Sequence, residues 1–122
     1  MHIAEIATAP RHRAPVPGGP TAALLTTPGT SDQLAVLHVE IPAGGGMPEH
    51  DHGSSQIVLI PLAGSVEVHH DGQVRTLSAG MAAHIGTGER VRLANPGSEP
   101  ASLMVVAGPP EFAGRVTTWP AA

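Results

Sequence analysis

Cysteine is absent from the 122 residues, which removes disulfides, thiolate catalysis and cysteine-ligated zinc from consideration. Aromatic side chains are almost as scarce. Phe112 and Trp119 make up the whole 2%, so Val, Leu, Ile and Ala must fill any core. Charged residues are only 13%, against roughly a quarter in an ordinary soluble domain. A small protein so short of charge leaves apolar surface to be covered, and a homodimer is expected on that ground. The net charge is −4 with histidines neutral, and no basic stripe exists to neutralise phosphates, so nucleic-acid binding is disfavoured. No apolar run reaches membrane-spanning length. The opening Met1–Glu5 segment has no basic stretch leading into an apolar one, so a cytoplasmic protein is expected, with no membrane partner.

Glycine and proline are plentiful, at 15 and 13 residues, and they punctuate short β-prone runs instead of clustering in one tract. The length suits one domain. Residues 1–33 read as an N-terminal arm with an edge strand at most, and Thr8–Pro20, with four prolines, is assigned no regular structure. Residues 34–122 read as a β-barrel with a C-terminal extension. Its strands are expected at Leu34–Ile41, Gln56–Leu62, Ser65–His70, Val74–Leu77, Met81–Ile85, Arg90–Ala94 and Ser102–Ala107, with a last one at Arg115–Thr118. Ala43–Pro48 reads as a loop. Asp71-Gly72, between alternating runs, is the strongest short-range hairpin signal. No stretch carries a helical period free of Gly and Pro. Short strands at close spacing suggest a sandwich or a closed barrel, and closure hides edges that would otherwise be sticky.

Chemistry concentrates at His50-Asp51-His52. Positions i and i+2 of a strand share a face, and Gln56, four further on, keeps that parity if the turn between preserves it. Two imidazoles and an amide oxygen on one face could hold a first-row divalent metal, Fe, Mn, Ni, Cu or Zn, with water in the remaining positions.

The spacing around these residues resembles the cupin family, small jelly-roll barrels with two motifs. Gly44-x5-His50-x-His52-x3-Gln56 follows the first motif, with glutamine where glutamate is commonest and the closing Gly64 one residue late. A bulge or a shifted turn near Pro61 is therefore expected. Gly80-x5-Gly86-x-Gly88-x2-Val91-x3-Asn95 follows the second, with glycine for proline and Val91 where a ligating histidine usually lies. The resemblance covers Leu34 to Ala107. It implies an all-β fold, a single antiparallel jelly-roll barrel, and a metal centre at His50, His52 and Gln56. It also implies dioxygenase or isomerase chemistry on a small organic molecule. His84 and Glu89 are the candidates to replace the missing ligand, although strand parity sends His84 outward.

The competing reading is a barrel that binds or senses a small molecule without metal or catalysis, its histidines merely polar residues at the mouth. The remaining histidines have plain explanations: His69 and His70 border a turn and face solvent, His2 and His12 lie in the arm without a structural role, and His38 faces outward to solvent or a partner subunit. Glu49 and Asp51 solvate their loop. Gly44-Gly45-Gly46 lacks the Lys-Ser/Thr and helix start of a phosphate loop, and Met47 is read as packing.

Overall fold

A computed structural model describes all residues, 1–122. Ten strands form two antiparallel sheets: β1 (Arg11–Arg13), β2 (Thr21–Leu24), β3 (Ala35–Ile41), β4 (Gly46–His50), β5 (Gln56–Ala63), β6 (Ser65–His70), β7 (Gln73–Ser78), β8 (Ala83–Ile85), β9 (Val91–Ala94) and β10 (Ala101–Gly108). The only α-helix, α1 (Glu111–Val116), follows the last strand. One sheet runs β1-β2-β3-β10-β5-β8 and the other β4-β9-β6-β7, the two layers of a jelly roll. None of its helices is long and apolar enough to cross a membrane.

Strict alternation builds the core. Along β10, Ala101, Leu103, Val105 and Ala107 are buried while the residues between them are half-exposed. Leu37 and Ile41 of β3, Ile57 and Leu59 of β5, Val66 and Val68 of β6, and Val91 and Leu93 of β9 meet them in one apolar cluster. Aliphatic side chains supply that burial, as the dearth of aromatics requires. The Asp71-Gly72 turn joins β6 to β7 with both residues at positive φ, 52° and 77°, the twist a two-residue hairpin needs.

Two bulges re-aim side chains. Ser102 pairs with Ala63 but Leu103 with Pro61, so Leu62 is the extra residue, at the place the late glycine implies. On β4, Met47 pairs with Leu93 and His50 with Val91. The extra residue lets both Met47 and His50 face the interior, which unbroken alternation over three positions forbids.

Three expectations are corrected. The proline-rich Thr8–Pro20 segment is not irregular throughout: β1 pairs with β2 on one side, and on the other Arg13 and Ala122 bond Pro120 and Arg11 across the chain terminus. Prolines flank β1 without interrupting it. Ala43–Pro48 is not all loop, because Gly46 opens β4 where Leu93 O lies too close for any Cβ. Arg115–Thr118 is not a strand. It overlaps the end of α1, where Thr117 and Thr118 donate back to the carbonyls of Gly114 and Arg115 (2.8 and 2.6 Å), local bonds that outcompete β-propensity. Glu111 in the first turn and Arg115 in the last complement the helix dipole, and Val116 is buried in the end of the barrel.

Candidate metal centre

His50 ends β4 facing inward beside Val91. Its Nδ1–H donates to Pro48 O at 2.8 Å, which fixes the tautomer and leaves the Nε2 lone pair free, the arrangement of a ligating histidine. His52 lies beyond the strand. An Asx turn, Gly53 N donating to Asp51 Oδ1 at 2.9 Å, reverses the chain and swings the second imidazole under the first. Their ring centroids are 4.7 Å apart, edge to face. Turn chemistry, not strand parity, brings the pair together.

His52 is 5% exposed, and its Nδ1 is buried without a hydrogen-bond partner. Burial pushes its pKa down to about 4, aided by His50 and then Arg115, so this imidazole is neutral at physiological pH. Helix α1 covers it. The Phe112 ring meets His52 edge to face at 4.8 Å. Phe112 N donates to Ser55 Oγ at 3.1 Å, and that fully buried hydroxyl donates to Pro109 O. Arg115 lies 6.0 Å from the Phe112 ring centre and donates to Asp51 O at 2.7 Å. Asp51 carries a lowered pKa, through the Gly53 N–H first and through Arg115 and Arg90 after. These contacts strap the C-terminal helix to the loop that carries the histidines. Phe112 and Arg115 escape a sequence reading because they lie far along the chain from His50 in no local motif, and Ser55 escapes it because it sits at one of the unspecified positions between His52 and Gln56.

Gln56 does not join the pair. It opens β5 on the face opposite the fully buried Ile57, and its amide oxygen accepts a hydrogen bond from His84 Nε2 at 2.8 Å. His84 is itself exposed on the outer face, as its parity implies. The inward neighbours where further ligands would sit are aliphatic, Ile57 and Val91. Glu89 is also engaged elsewhere: Oε1 accepts from Gly86 N at 3.0 Å and Oε2 pairs with His70 at 3.4 Å. Nowhere do three His, Asp or Glu side chains gather within reach of one metal ion. The barrel end therefore offers at most two imidazole donors, His50 and His52, to a metal ion.

Other histidines depart from expectation. His12 is structural, Nδ1 donating to Trp119 O at 3.0 Å beside the bridge to Ala121. His2 bonds Leu25 O at 3.1 Å. His38 lies on the outer face as expected, yet it is buried: Arg11 donates to its Nδ1 at 3.0 Å and its Nε2–H donates to Ser102 Oγ at 2.7 Å. His69 is held by Glu67 and Arg92.

The profile of the Cupin domain family matches residues 37–107, the span from β3 to β10. This chain is a cupin. It is 34% identical over 97% of its length, and 80% of the relative's, to "Tetracenomycin polyketide synthase protein TcmJ" of Streptomyces glaucescens. Solved cupins share its architecture. The polyketide cyclase RemF from Streptomyces resistomycificus superposes with a TM-score of 0.78 at 22% identity, covering 88% of this chain and 79% of that one. A predicted oxalate decarboxylase from Thermotoga maritima gives 0.76 at 17% identity, over 87% and 97%. Cupin barrels carry many reactions, so the fold does not by itself select one.

Proposed function

We propose that this cupin acts on an aromatic polyketide or its poly-β-ketone precursor at the barrel end that carries His50 and His52. Near-full-length similarity to a tetracenomycin polyketide synthase protein carries the reading. The paired imidazoles add to it, one with its tautomer pinned and the other with an unpartnered buried nitrogen. These two residues would hold a divalent transition metal, which supplies polarisation of a carbonyl oxygen when bound. A centre with few protein ligands leaves positions for the two oxygens of a 1,3-dicarbonyl, the repeating unit of a poly-β-ketone. The chain's own contribution is placement. Pro48 orients His50, Phe112 shields His52 from water, and Arg115 and Ser55 hold α1 over His52.

A second reading, metal-free binding of the same class of molecule, draws support from Val91 and Ile57 at the inward positions and from the engaged Gln56 oxygen. We also propose a homodimer through the outer face of the larger sheet. There Val36, Val58, Ile60, Met104 and Val106 form a half-exposed apolar patch.

Inductively coupled plasma mass spectrometry on untagged protein purified without chelator tests the metal. Near-stoichiometric Fe, Mn, Ni, Cu or Zn is expected, and its absence even after loading with each ion would leave the metal-free reading. Addition to a synthase releasing a linear poly-β-ketone tests the substrate. A shift of products toward one cyclised skeleton is expected, and an unchanged profile overturns the polyketide assignment.

A further inference from the structure

Helix α1 divides the end of the barrel. Phe112 and Arg115 face the histidine loop, while Ala113, Gly114 and Thr117 line a separate groove of about 350 Å³ against the segment Leu24–Ala35. That volume lies at the lower end of small-molecule sites. The groove is distinct from the histidine pair, none of whose residues lines it.

Its chemistry is specific. Leu24, Leu34, Ala35 and Ala113 make the exposed wall mainly apolar, and Leu34 stands 52% exposed at the rim. Thr26 and Ser31 turn hydroxyls to the polar side. Thr26 Oγ1 already accepts Val36 N, and Ser31 Oγ accepts Gln33 N and Leu34 N. Each hydroxyl keeps its O–H to donate, the complement of a ketone or quinone oxygen, and Ser31 has no lone pair left to accept. Asp32 and Glu111 are acceptors only, the complement of a phenolic O–H. No Arg or His lines the groove, so an anionic ligand finds two like charges and no counter-ion.

We infer that this groove binds a neutral, planar, hydroxylated aromatic ketone. The identity of that occupant rests on the polyketide reading above; the location of the site does not. Gly114 gives access to a test, because it lines the groove and a Cβ built there meets no atom within 4 Å, so a larger side chain is accommodated at this wall without disturbing the core.

The experiment is calorimetric titration with 1,8-dihydroxyanthraquinone, checking each variant's fold by circular dichroism. Gly114→Leu, which adds bulk at the groove wall, and Leu34→Asp, which charges its rim at an exposed position, should each weaken binding at least about tenfold. The paired substitution His50→Ala and His52→Ala should leave it within about twofold. Anthraquinone-2-sulfonate should bind at least about tenfold more weakly than the neutral probe. Unaltered affinity in both groove variants, or loss only in the histidine variant, places the ligand elsewhere and overturns the groove while leaving the polyketide reading standing. Equal affinity for decan-1-ol overturns the aromatic class of the occupant. A chain that holds no metal leaves this result untouched, because the groove and the histidine pair share no residue.

Discussion

His38 and His52 are equally buried, each 5% exposed, yet their surroundings are opposite. On the outer face of the larger sheet, Arg11, Ala23 and His38 stand in one row across β1, β2 and β3. The small Ala23 lets the Arg11 guanidinium reach His38, and both ring nitrogens of His38 are bonded. At the barrel end, His52 has aromatic neighbours and an unpartnered buried nitrogen. An unsatisfied buried polar atom costs stability. The fold tolerates that cost at one histidine and avoids it at the other, the difference expected if His52 has the chemical role proposed for it and His38 an architectural one.

The sharpest way to break the comparison is to remove each side. His50→Ala with His52→Ala should abolish metal retention almost completely while the barrel still folds, read by metal analysis and circular dichroism on one sample. Unfolding of that variant would make the histidines structural and remove the distinction. His38→Ala should do the reverse, costing about 2 kcal/mol because Arg11 and Ser102 lose their partner, with metal content unchanged; urea unfolding measures the loss.

Arg115→Ala tests the strap over His52. Its ion pair with Asp51 is 3.6 Å long and half exposed, so stability should fall by less than about 1 kcal/mol. Carbethoxylation of His52, followed by peptide mass spectrometry, should nonetheless quicken as Phe112 loosens. Acid should act on both sides, since burial lowers the pKa of His52 and of His38, and on the architectural side it can be read with one substitution. Burial first, and Arg11 second, lower the pKa of His38 below its ordinary 6.5. The unfolded chain then takes up the proton first, so stability present above that value is lost as pH falls toward the folded one. His38→Gln should therefore lose less stability than the parent between about pH 7.5 and about pH 5.5. The smallest effect belongs to Gln56→Ala. With its oxygen turned to His84, it should change stability by under about 0.5 kcal/mol and leave metal content intact; a loss of metal would return Gln56 to the centre.

Much of this was legible in the chain itself. Alternation in Ser65–His70 placed β6, the short apolar run Ser102–Ala107 between turn signals placed β10, and Asp71-Gly72 placed the turn. The late Gly64 pointed to an irregularity near Pro61, which lies at Leu62, and the two spaced motifs carried the family resemblance. These signals are local, since side-chain period and positive-φ turns are properties of a few neighbouring residues. The site was legible only in part. His50 and His52 do meet, but through a bulge and an Asx turn that a parity count does not contain.

Sequence alone therefore determined the β-barrel, its turns and the histidine pair. Tertiary structure decided which way Gln56 faces, that β1 pairs with the chain terminus, and that Phe112 and Arg115 close over His52. Those outcomes depend on which groups, distant in sequence, compete for the same hydrogen bonds and the same buried space. His84 claims the Gln56 oxygen, Ile57 takes the interior position beside it, and burial of Val116 in the end of the barrel leaves Val116, Thr117 and Thr118 in a helix end and turn although their β-branched side chains favour a strand.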